Sequence, residues 1–325
     1  MVPNASPDAA AGRLVHTDVA DPVDVYLRST DGAVSAATQR AVKADLKAYA
    51  AWCAEHGLAA LPAEPATVAA FVDAMARLRA PATVRRYVSS IAAAQSALGC
   101  ATPVRTPAVC RALKRMHRRR GRRQKQVHGL TWPLLQRLLA VPGERVIDAR
   151  NRALVAVAYD ALLRRSELTA VRVADLLVDV RGSATLIVTR GKTDPEGHGA
   201  AVYLARDTVT LVREWLDRAG ITDGRLFRSV AKGGTIGARL HPSQIPRILK
   251  AMAHRAGLPA RVVQELSGHS ARVGAAQDMV ASGIEMPAIL QAGRWKTAVM
   301  VNRYGERLLA SRSGAAQLAR LQRRD

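Results

Sequence analysis

Two pairs of side chains in this sequence are spaced to meet on one face of a helix. Arg164 and Glu167 lie three residues apart at the end of an apolar run, where the carboxylate can hold the guanidinium in one orientation. His269 and Arg272 repeat that spacing just after Ser267-Gly268, at a helix start. Lys192 falls between these pairs, in a Gly- and Pro-containing turn, and Trp295 and Tyr304 follow them nine residues apart. An oriented guanidinium is a two-pronged partner for a phosphate. A tyrosine hydroxyl is a nucleophile in waiting, since a free pKa of about 10 leaves little phenolate at neutral pH. Taken singly, each feature has a plainer reading: an ordinary ion pair, a solvated lysine, a core tryptophan, a half-buried tyrosine with its hydroxyl in water.

Charge narrows the partner. Lys and Arg number 49 against 26 acidic residues, a formal net charge of +23 that points to a polyphosphate such as nucleic acid. No acidic residue occurs between Asp73 and Glu144, and within that gap lies Arg118-Arg119-Arg120-Gly121-Arg122-Arg123-Gln124-Lys125-Gln126. A run with no apolar face reads as an interdomain linker, laid as a strap along phosphates. Cys53, Cys100 and Cys110 are odd in number and lack CxxC spacing, so neither a disulfide framework nor a zinc site is indicated. The most apolar stretch, Ala153 to Leu163, is interrupted by Asp160 and falls short of the roughly 18 residues that span a bilayer. With no signal-peptide pattern at the start, a cytoplasmic or nucleoid-associated address is expected, with no membrane partner.

The elements that must position these residues are mostly helices. At 325 residues, 49% hydrophobic but only 4% aromatic, the chain has room for about two Ala- and Leu-rich domains. Residues 1–20 lack periodicity and read as a loose tail. Domain 21–117 shows four helical stretches: about Ser35 to His56, from Pro65, from about Ala82 to Gly99, and from Pro107. Their stripes are Val42, Leu46, Tyr49 and Cys53, then Val68, Phe71, Val72, Met75 and Leu78, then Val84, Val88, Ile91 and Leu98, and finally Val109, Leu113 and Met116. Residues 118–130 are the basic linker. Domain 131–325 opens with Thr131 as a helix cap ahead of Pro133, followed by helices over about Val146–Leu163 and Ser166–Val171. Period-two segments at Ala184–Thr189 and Ala201–Leu204 form a small antiparallel sheet. Further helices cover about 206–219, 242–256, 269–282, 285–293, 297–304 and 313–323. The fold class is mainly α: a helical domain, then a mixed α/β, mostly helical domain.

In order, Arg164 with Glu167, Lys192, His269-x-x-Arg272, Trp295 and Tyr304 resemble the set of the tyrosine recombinase (phage integrase) family, most closely its Cre recombinase branch. The segments Ser267–Ala276 and Gln291-Ala292-Gly293-Arg294-Trp295 look like its signature segments, and Ala51-Trp52-Cys53 and Pro62-Ala63-Glu64-Pro65 are similar to that branch in the helical domain. The resemblance runs from about residue 22 to the end. Many members have Gly-Leu where Leu162-Leu163 stands here, and His in place of Trp295; both departures are shared with the Cre branch.

The resemblance implies roles. Tyr304 attacks a DNA phosphodiester and forms a 3′-phosphotyrosyl link. Arg164 and Arg272 clamp the phosphate, His269 assists proton transfer, and Lys192 protonates the departing 5′-oxygen. Glu167 orients the clamp, and Trp295 positions the phosphate or packs beside it. Because the bond energy is conserved in the covalent link, no cofactor or metal is implied. Thr83, Arg86 and Tyr87, and Ser243, Gln244 and Arg247, are placed near the major groove, where Arg and Gln read base edges; Arg118, Arg119, Arg120, Arg122 and Arg123 join them as DNA-binding candidates. The implied partners are double-stranded DNA with paired inverted-repeat sites and three further copies of the chain in a tetramer, joined through the C-terminal helix. Two other readings fit part of the pattern: a type IB topoisomerase-like nicking and resealing activity, and a DNA-binding architectural protein with an idle site.

Overall fold

The computed structural model describes residues 22–123, 125–189 and 199–324. The chain forms two compact units, dividing after Lys125. The N-terminal unit is all helix: α1 (Pro22–Ser29), α2 (Ala36–Glu55), α3 (Pro65–Leu78), α4 (Pro81–Ala97), a short 3-10 turn (Pro103–Arg105) and α5 (Pro107–Arg120). Helices α3, α4 and α5 each open on proline, whose missing N–H costs nothing in a first turn. Ser35 caps α2 by accepting the Thr38 N–H at 3.2 Å. The expected stripes meet in one core in which Tyr49, Phe71, Ile91 and Met116 are almost fully enclosed, with the Tyr49 and Phe71 rings edge to face at 5.0 Å. Two departures stand out. Helix α1 was not expected, although its Tyr26 is buried in this core, and Leu78, expected on the α3 stripe, is 70% exposed because the helix ends there.

Helix α5 also runs further than the charge pattern suggested. Arg118, Arg119 and Arg120, expected in the linker, form its last turn and are exposed. Buried Ala112 and Met116 anchor the preceding turns. Arginine has good helix propensity, and cations suit a helix C-terminus. Gly121, in the left-handed region at φ +70°, then ends the helix.

The C-terminal unit begins with α6 (Trp132–Leu139), α7 (Val146–Asp160) and the one-turn α8 (Arg165–Leu168). A 3-10 turn (Val173–Asp175) leads into β1 (Leu176–Val178), β2 (Ala184–Val188) and β3 (Ala200–Leu204). Then follow α9 (Arg206–Ala219), α10 (Gln244–Arg255), α11 (Ala260–Glu265), α12 (Ser270–Ala281), α13 (Met286–Gly293), α14 (Val299–Tyr304), α15 (Glu306–Ala310) and α16 (Gly314–Leu321). The sheet is antiparallel in the order β1-β2-β3, with Leu176 opposite Leu186 and Leu186 opposite Val202. Its alternating pattern turns Ala184, Leu186, Val188, Val202 and Leu204 inward. Helix α7 has no polar stripe because it runs through the core: Ala153 to Ala158 are all buried.

Two local expectations change here. Thr131 occupies the N-cap position of α6, but its side chain makes no cap bond; the carboxylate of Asp278, on α12, accepts the Trp132 N–H at 2.6 Å instead. Helix α7 stops at Asp160 rather than near Leu163, because Leu162 takes a left-handed φ of 48°. Leu162 stands where many of the resembled recombinases have the Gly of Gly-Leu, and glycine adopts such a conformation without strain.

Candidate active site

The site is built where α7 ends, where α12 starts, and along α13 and α14. Past Leu162 the chain turns into α8. There Glu167 reaches back so that its carboxylate accepts the Arg164 backbone N–H at 3.0 Å and the Arg164 guanidinium at 2.6 Å. One acidic side chain therefore caps the short helix and orients the arginine beside it. Burial alone would push the Glu167 carboxyl up, but the Arg164 N–H and guanidinium, together with Arg294, outweigh it and hold the group below the usual carboxylate range. The residue is only 3% exposed and stays charged.

The second arm starts at Ser267. Its N–H donates to Ser270 Oγ at 2.8 Å and its hydroxyl accepts the His269 N–H at 3.2 Å, which fixes the entry to α12. Helix α12 can lie close to the strand of chain entering α6 because residue 274 is glycine: a Cβ there would sit 1.9 Å from the Leu130 carbonyl oxygen. One turn into the helix, Arg272 is 3% exposed. Its guanidinium donates to the carbonyls of Leu162 and Gly293 and lies 4.4 Å from the Trp295 ring centroid. Burial, then the nearby Arg164 and Arg294, lower its pKa to about 10, which leaves it cationic at neutral pH. Gly293 is required as well, since a Cβ there would strike the Trp295 ring at 1.9 Å.

Tyr304 ends α14, with its ring edge to face against Trp295 at 6.0 Å between centroids. Its carbonyl accepts from two amides, Gln277 Nε2 at 3.1 Å and Gln126 Nε2 at 3.3 Å. Burial raises the phenol pKa, while Arg272, Arg303 and Arg164 pull it down. His269 reaches solvent, yet partial desolvation and then Arg272, Arg165 and Arg164 hold its pKa below the ordinary value. At neutral pH its imidazole is uncharged and able to accept a proton.

Six of the seven residues singled out for catalysis, Arg164, Glu167, His269, Arg272, Trp295 and Tyr304, thus form one linked cluster. Lys192, the seventh, lies outside the described residues. The groove-reading candidates sit elsewhere. Ser243, Gln244 and Arg247 open α10, where Ser243 Oγ bonds His241 Nδ1 at 2.7 Å and Arg247 is exposed. In the N-terminal unit, Thr83 is half-buried and Arg86 is exposed, its guanidinium 2.9 Å from Asp45. Tyr87 is 8% exposed and packs against Phe71 in the core of that unit. Arg122 and Arg123 are exposed beyond α5.

Sequence reasoning passed over three residues that touch the cluster. Gln126 and Gln277 bond backbone at Tyr304, a contact that no spacing announces. Arg294 stands inside the Gln291–Trp295 segment, yet its bond to Glu167, at 2.7 Å, joins residues 127 apart in the chain.

Residues 130–308 match the model of the phage integrase family. The chain is 30% identical to recombinase Cre of Escherichia phage P1, over 83% of each chain. It is 28% identical to the integrase/recombinase XerD homolog of Selenomonas ruminantium, over 83% of this chain and 81% of that one. Among solved structures it resembles the Tn1549 transposon integrase in complex with transposon right end DNA, with a TM-score of 0.59 at 12% identity, covering 90% of this chain and 98% of that one. The chain belongs to the phage integrase family and is a tyrosine site-specific recombinase. Among the described residues no helix is long and apolar enough to cross a membrane.

Proposed function

We propose that the protein cuts and rejoins DNA strands at specific sites with Tyr304 as nucleophile, through a 3′-phosphotyrosyl intermediate. The observation that carries this reading is geometric: the Tyr304 ring packs edge to face on Trp295 at 6.0 Å, Trp295 lies 4.4 Å from the Arg272 guanidinium, and Arg164 is held by Glu167 at 2.6 Å, while Arg272 and Arg164 both pull the phenol pKa down against the effect of burial. A scissile phosphate held between those guanidiniums meets the phenol oxygen as it loses its proton. The same two cations offset charge building on the phosphoryl oxygens. Uncharged His269, at the start of α12, takes the proton; Lys192 is assigned the 5′-leaving oxygen. Trp295 packs between Arg272 and Tyr304 and holds their spacing. Attack by the phenol oxygen forms the P–O(Tyr) bond as the P–O5′ bond breaks, and attack by a 5′-hydroxyl reverses the exchange, so no external energy source enters.

The DNA partner is double-stranded with paired inverted repeats, approached by α10 and α4 and by the arginines at the end of α5. Four copies assemble on two sites through α16, whose Leu318 and Leu321 are 50% and 84% exposed and which buries no residue in the single chain. Sedimentation of the protein with its site tests this, with four protomers per two duplexes expected. The activity itself is tested on a plasmid carrying two copies of the native site. Wild-type protein should delete or invert the intervening segment, and Tyr304→Phe should bind the plasmid and leave it unchanged. Relaxation without rearrangement would contradict recombination.

A further inference from the structure

We infer that Arg294 is a positioning residue for the cleavage step, acting through the Glu167 carboxylate it shares with Arg164. The inference rests on the proposed strand cleavage and concerns a residue to which sequence patterns alone give no role. Arg294 follows α13 in a left-handed conformation, φ 53° and ψ 45°, which glycine adopts freely and arginine does not. Its backbone closes the helix, with its N–H donating to Gln291 at 3.0 Å and the Trp295 N–H donating to Leu290 at 2.9 Å. Glycine would serve that turn better, so the side chain carries the reason for arginine here.

That side chain points into the cluster. Arg294 Nη1 donates to the Ala161 carbonyl at 3.2 Å, and Nη2 donates to Glu167 Oε2 at 2.7 Å. The carboxylate is thus gripped on Oε1 by the Arg164 guanidinium and on Oε2 by Arg294. Glu167 is faced by Arg164 from its own turn, by Arg294 from the end of α13, and by Arg272 and His269 from the start of α12. This arrangement has two effects. The negative charge is divided between two cations, which leaves Arg164 with more net positive charge to offer a phosphate. The carboxylate is also held at both oxygens, so Arg164 has one orientation rather than two. Through its bond to the Ala161 carbonyl, Arg294 also ties its own turn, which leads into Trp295, to the end of α7.

The test compares wild type, Arg294→Gly and Arg294→Lys on a nicked suicide substrate, scoring the rate of covalent adduct, the DNA dissociation constant and the unfolding midpoint. Glycine satisfies the backbone. The expected result is therefore a folded protein, DNA affinity within about twofold of wild type, and a single-turnover cleavage rate lower by at least about tenfold, the kind of loss a small misplacement of a catalytic group produces. Lysine, which keeps a cation near Glu167, should recover part of the rate. In a Glu167→Gln background the Arg294→Gly change should add little further loss, because its route of action is already gone. Cleavage by Arg294→Gly within twofold of wild type overturns the inference, as does a loss in rate matched by an equal loss in binding, or additive losses in the double variant. Failure of wild type itself to form an adduct would instead overturn the proposed strand cleavage beneath it.

Discussion

Arg272 illustrates how one residue can be structural and chemical at once. Its guanidinium fastens the end of α7 to the end of α13 through the Leu162 and Gly293 carbonyls, while its charge lowers the Tyr304 phenol. Arg272→Gln keeps a donor but loses the fork and the cation. Removing one such group from a developing anion costs about 10² to 10³ in rate, or about 2.7–4 kcal/mol. The pH dependence has a definite sign. Burial raises the Tyr304 pKa and Arg272 opposes it, so losing that charge moves the phenol further up. The residual single-turnover cleavage of Arg272→Gln should then go on rising to higher pH than in wild type. A profile that stays in place, with less than a tenfold fall in rate, would remove Arg272 from the phenol's environment. Glu167 shows the converse case, a buried acid kept ionised by two arginines.

At the scale of elements, the site depends on close backbone approaches that leave no trace in hydropathy. Gly274→Ala should push α12 off the Leu130 carbonyl. Overpacking of this kind costs about 1–3 kcal/mol. In a domain this size that lowers the unfolding midpoint by about 2–12 °C, at roughly 2–4 °C per kcal/mol. A calorimetric midpoint equal to wild type would contradict the tight contact. The same contrast explains what the sequence showed and what it hid. The stripes of α2 and α4, the proline openings of α3 and α5, and the alternation of β2 and β3 are local signals, and their elements lie where periodicity puts them. The ends were less legible. Leu162 breaks α7 through its own φ, Asp278 caps α6 from a distant helix, and the arginines of α5 continue a helix that charge alone would have dissolved. Within the site, the Arg164–Glu167 and His269–Arg272 pairs could be read because three-residue spacing makes them neighbours. Arg294, Gln277 and Gln126 could not, since only tertiary packing brings them to Glu167 and Tyr304.

For the whole molecule the dominant quantity is charge, +23 at neutral pH. Binding that neutralises backbone phosphates releases counterions, so affinity falls steeply with salt and each contact contributes about 0.9 to the logarithmic slope. Changing Arg118, Arg119 and Arg120 together to Gln should weaken binding to all duplexes alike and flatten that slope by up to about 3. Anisotropy titrations over a salt series would check it, and a loss confined to one sequence would mean that these side chains read bases instead. In the proposed function the charge supplies affinity and the cluster around Tyr304 carries out strand cleavage once DNA is bound. That role for the cluster is tested most directly by trapping the adduct on a suicide substrate, digesting it and sequencing the linked peptide by mass spectrometry. A single modified peptide ending α14 is expected, with the 3′-phosphate on the oxygen of Tyr304. A nucleotide found on any other residue, such as Tyr159 or Tyr203, would contradict it.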